Sequence, residues 1–477
     1  MLLVVIKRVA AIPGQAKVSS IFAGANHLTE KNLVSPQRAS ASPPRRKLFR
    51  AAAFFALCAA PLVFAGLKQG QDSDIPAEYV SAKLSDPISK VLARIGAGTL
   101  KLVYEPKRGY LKSILSELRV TPTSQILVFS KTSFQTTFIS PRSPRAIYFN
   151  DDVYVGWIPG APNIELVGID PVVGPIFFTL RNEPSQAPTP VRQMLDCLQC
   201  HDSPMTSQVP GLMARSVFAG PDGLPRLAGG SFMTTATSPM KERWGGWYVT
   251  GRHGSQRHMG NEVSRGDEQA PVIDTEKGAN VTDLRRYFDV DSYLTPHSDI
   301  VALMVAEQQM TIQNRITKAG YLTRKTLKDA ADLLKYGFTP EHVAEETHDR
   351  IQNACEPIVQ ALLGTDEPEL TAPIQGTSGF KSVFSVTAPP DKTGRRLSEL
   401  DLKTRLLRYP CSPMIYSQTF TGLPLEARTL VLKRLNEILT GKDQTKPFVH
   451  LTAEDRKAVL EILRETLPEF ALASNSA

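Results

Sequence analysis

Five residues, Cys197-Leu198-Gln199-Cys200-His201, constrain this 477-residue chain more than any others. Two thiols separated by two residues sit about one turn apart on a helix, and the next residue brings an imidazole to the same end. Three chemistries use this spacing. A dithiol can cycle through a disulfide, and a cysteine pair can supply half of a zinc site. Two thiols can also add to the two vinyl groups of a porphyrin while the adjacent imidazole reaches its iron. Each demands different surroundings.

The flanking sequence separates the three. A thioredoxin-like pair opens a helix directly after a buried strand, whereas this motif follows the breaker-rich Gln186-Ala187-Pro188-Thr189-Pro190. A zinc site needs four nitrogen or sulfur ligands, usually with a second close pair. Neither Cys355 nor Cys411 has a Cys or His within four positions. Covalent attachment of one haem c is the reading that remains. On these five residues the chain resembles the bacterial c-type cytochromes. The resemblance extends loosely into the segment that follows and does not cover the whole chain. It implies haem held by Cys197 and Cys200, with His201 as the proximal iron ligand. It also implies periplasmic electron transfer with redox partner proteins rather than catalysis. A single Cys-x-x-Cys-His weighs against a multihaem wire. The alternative is a haem enzyme or haem-based sensor with an open sixth iron position. No Ser-His-Asp spacing, P-loop or dinucleotide fingerprint offers a different activity.

Export should accompany such a motif. Arg45-Arg46-Lys47-Leu48-Phe49-Arg50 is a cationic lead, Ala51 to Phe64 is apolar, and Val63-Phe64-Ala65 suits cleavage after Ala65. The apolar run falls short of the roughly 20 residues that span a bilayer. Residues 45–65 are therefore expected to be a cleaved signal peptide, or an inner-membrane anchor if retained, and the chain's membrane contact would be this segment alone. Residues 1–44, with Ser40-Ala41-Ser42-Pro43-Pro44, cannot build a core and read as a disordered extension or a start placed too far upstream. The leader also explains the charge. Residues 1–65 hold nine Lys and Arg and one acid, leaving 46 basic and 46 acidic residues of the total 55 and 47. The net charge of +8 thus belongs to the leader, and no nucleic-acid partner follows from it.

The expected fold class is α+β. It comprises a β-rich domain (66–185), a haem c-binding region (186–290) and a mainly helical domain (291–477). Short β-branched and aromatic runs predict strands over Gln125–Phe129, Ala146–Phe149, Val153–Ile158, Ile164–Ile169 and Ile176–Leu180, with Asn150-Asp151-Asp152 turning a hairpin. Tyr110 to Leu118 reads as a short helix. Thr189 and Pro190 read as the cap and first residue of a helix running into the motif. Pro221-Asp222-Gly223 is a turn. Ser298 should cap a helix from Asp299 to Arg315, Leu425–Leu439 is amphipathic, and Thr452 with Asp455 forms a capping box.

Seven residues after the motif are candidates for the distal side of the iron: Met205, Met213, Met233, Met240, His253, His258 and Met259. Met205 follows His201 too closely to cross a ring. The glycine-flanked run His253 to Gly260 gathers three iron ligands beside the aromatic, glycine-rich Trp244–Gly251, so Met259 leads, followed by His253 or His258. Arg243, Arg252 and Arg257 are candidate partners for propionates, against the blander reading of solvated surface arginines. His297 reads as a helix N-terminal surface residue. Cys58 leaves with the signal, so Cys355 and Cys411 form either a disulfide or two buried thiols.

Overall fold

The period-two alternation that starts at Ile126 builds an antiparallel sheet. The computed structural model describes residues 77–475, so the expected extension and signal segment lie outside the described residues. Six strands, β1 (Ile126–Val128), β2 (Arg145–Phe149), β3 (Val153–Trp157), β4 (Asn163–Asp170), β5 (Gly174–Arg181) and β6 (Val191–Gln193), each pair with the next. Strands β7 (Ala214–Val217) and β8 (Ser231–Thr234) form a separate hairpin. Strand β9 (Trp247–Tyr248) joins the free edge of β1, giving the order β6-β5-β4-β3-β2-β1-β9.

Both faces of this sheet are covered, which is why its central strands are buried at nearly every position. One face presents Leu127, Tyr148, Val155 and Leu166 to helices α1 (Ala77–Ser81), α2 (Pro87–Gly96) and α3 (Leu111–Glu117). Asp86 caps α2 by accepting from the Ile88 and Ser89 amides at 2.9 and 3.1 Å. A Cβ on Gly168 of β4 would come within 2.1 Å of that carboxylate, so only glycine lets α2 lie this close. The other face presents Ile126, Val128, Ile147 and Phe149 to the start of a second-layer helix.

The sequence from Leu195 on supplies that second layer and the rest of the helices: α4 (Leu195–His201), α5 (Ile300–Lys335), α6 (Pro340–Leu362), α7 (Phe380–Phe384), α8 (Gln418–Thr421), α9 (Leu425–Leu439), α10 (Ala453–Thr466) and α11 (Pro468–Asn475). Ile300 to Ala306 of α5 cover the sheet, while its C-terminal half pairs with α6. Helices α6, α9, α10 and α11 close a second core around Leu362, Leu435 and Leu463. The fold is α+β, with the sheet-rich part ahead of the helical part, and the described residues form one compact unit. Among the described residues, no helix is long and apolar enough to cross a membrane.

Two expected helix starts move. Thr189 and Pro190 do not cap the motif helix, because Val191–Gln193 is an edge strand and α4 begins at Leu195. β-branched Val191 pairs with Thr179, and the Gln193 amide donates to the Thr179 hydroxyl at 2.9 Å. Ser298 is likewise displaced as a cap by Asp299, whose carboxylate accepts from the Val301 amide at 2.8 Å. The Ser298 hydroxyl instead bridges two strands, accepting from Leu127 N–H and donating to the Tyr248 carbonyl. Helix α5 also runs twenty residues past Arg315. Cys355 and Cys411 are separate buried thiols. Burial pushes each of them up to about 12.

Candidate functional site

The motif occupies α4, at the edge of the sheet just after β6. Leu198 is buried in the first core and fixes the helix, Cys197 is half-buried against that core, and Cys200 is exposed. The chain then folds back in a tight loop. Ser203 and Thr206 exchange capping bonds, the Ser203 hydroxyl donates to the Cys200 carbonyl at 2.9 Å, and the Thr206 hydroxyl donates to the Val209 carbonyl at 2.8 Å.

This loop delivers Gly211 to His201. The Gly211 amide donates to the His201 carbonyl at 2.8 Å, and His201 Nδ1 lies 2.8 Å from the Gly211 carbonyl. A carbonyl only accepts, so Nδ1 carries the proton and Nε2 keeps its lone pair. Burial holds the imidazole below its ordinary pKa, against the pull of the Gly211 bond. Its ring lies 4.7 Å from Phe177 of β5 at 44°. The result is a neutral, oriented imidazole whose second nitrogen is anchored by a backbone carbonyl, the arrangement of metal-binding histidines. Helix α5 locks the loop in turn. Asn314 accepts from the Leu212 amide at 2.8 Å and donates to the Leu212 carbonyl at 2.7 Å. A Cβ on Gly211 would meet Asn314 Oδ1 and Thr206 Cβ, each at 2.7 Å.

A half-buried ion pair lies beside α4. Arg145 of β2 and Glu165 of β4 meet at 2.6 Å across the glycine of β3, Gly156. Glu165 also accepts from Ser133 and Gln135 at 2.7 and 2.9 Å, while Arg145 Nε is buried with no partner. Burial, with Glu165 and Asp196 adding to it, pushes the Cys197 thiol up to about 11. That is the reverse of a reactive dithiol, whose attacking thiol is depressed. Among the described residues no three His, Cys, Asp or Glu side chains are placed to hold one metal ion, so the two thiols and the imidazole do not converge as zinc requires. Attachment to a porphyrin asks for no such convergence. Its thioethers lie at the ring edge and its iron at the centre.

The distal candidates His253, His258 and Met259 are together, but their ligand atoms are mostly engaged. His253 Nδ1 bonds the Gln256 carbonyl at 2.8 Å and its Nε2 accepts from Asn280 N–H at 2.9 Å. His258 packs 4.7 Å from His253 and edge-on to Trp244, its Nδ1 accepting from Gly260 N–H at 3.0 Å. Only its buried Nε2 is unpartnered. Met259 is buried, with Sδ 3.6 Å from the Ser216 hydroxyl. Among the described residues no hydrogen bond or ring contact joins these three to α4. Met205, Met213 and Met233 lie elsewhere, around a cleft next to the loop that follows the motif. Met240 lines a cavity of about 410 Å³ with Arg243 and Arg257.

The arginines divide. Arg243 is buried, pairing with Glu307 at 2.9 Å and donating to the Ser238 and Ala236 carbonyls, each at 2.8 Å. Arg257 pairs with Glu276 at 2.6 Å, and Arg252 is exposed. His297 is half-buried, with its carbonyl accepting from Gln125. Sequence reasoning missed Gly211, Asn314 and the Arg145–Glu165 pair. The dipeptide Pro210-Gly211, closing a turn soon after His201, was the one readable sign of the carbonyl anchor. No protein-family profile, curated protein or solved structure matches the chain.

Proposed function

We propose that this chain is an exported monohaem c-type cytochrome that transfers electrons between redox partner proteins in the periplasm. One observation carries the reading: His201 is kept neutral by burial and oriented by Gly211 with Nε2 free, beside an exposed Cys200 and a half-buried Cys197. Bound haem c would supply a one-electron iron couple. Cys197 and Cys200 would hold it through thioethers, and His201 Nε2 would face the iron. Arg145, which acts on both Cys197 and His201, and Arg192 of β6 each carry a buried, unpartnered Nε–H near this helix, so they replace Arg243, Arg252 and Arg257 as the side chains suited to a propionate. With haem attached, Cys197 no longer titrates.

Protein matured with haem-attachment machinery should give a haem-stained band on a denaturing gel, at the mass expected for cleavage after Ala65. The double variant Cys197→Ala/Cys200→Ala should lose the stain. A stain that persists refutes the proposal. A second reading, a haem enzyme or sensor with an open sixth position, is favoured by the engagement of His253 and Met259 in other bonds. Carbon monoxide decides between them: a reduced spectrum that it leaves unchanged supports the carrier, and a shifted Soret band supports the open site.

A further inference from the structure

Four of the ten methionines converge on one cleft of about 140 Å³ behind the motif loop. They come from four separate elements. Met205 lies in the turn after α4, Met213 precedes β7, Met233 is in β8 and Met310 is in α5. The pairing Arg215↔Met233 puts positions 213 and 233 on one face of the β7–β8 hairpin. On α5, Met310 shares a face with Asn314, which pins Leu212 beside Met213.

Core filling accounts for Met310, which is buried in the core beneath α5, but not for the other three. A methionine used to fill a core is buried, as Met304 and Met414 are here. Met205 is 38% exposed, and Met213 and Met233 are half-buried around an open space. The space lies below the roughly 300 Å³ at which organic-ligand pockets begin, which leaves room for an ion. Its lining carries no carboxylate, imidazole or thiol. Zinc therefore lacks its ligands and a hard cation would find only neutral hydroxyl and amide oxygens, while neutral, polarisable thioethers select copper(I). Arg315 also reaches the cleft. Its guanidinium donates to the Pro357 carbonyl at 2.9 Å, and its charge opposes any cation.

We propose that Met205, Met213, Met233 and Met310 form a site for a soft monovalent cation, copper(I), adjacent to the haem-attachment motif. The site does not depend on the haem reading.

The test titrates copper(I) anaerobically, under ascorbate, into the full chain with its haem attached, against bicinchoninate as competitor. The wild type should withdraw one equivalent, with sulfur scatterers only by X-ray absorption. Met213→Leu/Met233→Leu should bind at least tenfold more weakly. Methionine to leucine nearly conserves volume, and the single exposed substitution Met205→Leu provides a second variant should the double one fail to fold. Arg315→Gln should bind more tightly, because a repelling charge is removed. Unchanged binding in both methionine variants, or displacement by zinc, overturns the proposal. So does a changed haem spectrum in Met213→Leu/Met233→Leu with no loss of copper, which would assign these thioethers to the iron. If the chain carries no haem, the titration is run on Cys197→Ser/Cys200→Ser, where a thioether site still binds and a thiol site does not.

Discussion

Replacing Asn314 by leucine should loosen the site without touching the motif. The substitution removes both bonds to Leu212, leaving an amide and a carbonyl that are buried with no partner. Each such group costs about 1–3 kcal/mol, together about 2–6 kcal/mol. For a folded unit of about 400 residues, an unfolding entropy of about 2.1 cal/mol/K per residue turns this into a drop in Tm of about 2–7 °C. Asn314→Asp keeps the acceptor for the Leu212 amide and should cost less. The loop bearing Gly211 is what orients His201, so on the proposed function the effect would reach the haem. A weaker Nδ1–H bond makes the imidazole a poorer donor to ferric iron, and the potential should rise. Differential scanning calorimetry and a redox titration of the holoprotein read both quantities. A melting temperature within about 1 °C of wild type, with an unchanged potential, would refute the claim that α5 holds the imidazole.

Gly168→Ala drives a methyl into the Asp86 cap and should cost about 1–3 kcal/mol in urea unfolding; no loss would mean α2 does not sit on β4 as described. Because Cys355 and Cys411 are unpaired, dithiothreitol should leave the melting temperature unchanged, and a thiol reagent should modify both only after denaturation. Burial depresses His258 from its ordinary 6.5 to about 3. Its contribution is therefore fully present above pH 6.5 and is lost as pH falls towards 3, by about 1.4 kcal/mol per pH unit. His258→Phe should flatten that acid limb in urea midpoints measured at pH 7, 6 and 5; parallel curves for variant and wild type would show that His258 does not drive it.

The meander was legible because each strand alternates between two apolar layers, so Ile126 and Leu127 each have a core to enter. The C-terminal capping box of Thr452 and Asp455 was equally readable, since it is a local arrangement. The burial of helix α5 was not legible, for a physical reason. Gln308, Gln309, Gln313 and Asn314 look like a solvent face, yet all are buried and bonded to Glu367, Asp151, Thr317 and Leu212. Most of these partners, Glu367, Asp151 and Leu212 among them, lie far away in the chain, and pattern alone cannot find them. The motif was plain as chemistry, but its anchor was not: Gly211 reaches His201 only through a loop that a distant helix holds.

The strand order also sets a sequence of events. From β1 to β6 every strand pairs with the next in the chain, so these contacts close short loops. Strand β9 is different, because Val128 meets its partner only at Trp247. Loop-closure entropy favours the short pairings first and the long one last. The segment carrying Cys197 and Cys200 is thus tethered early at β6 and late at β9. If haem is attached as proposed, attachment would have its opening in that interval, before α5 clamps the loop and fixes the imidazole.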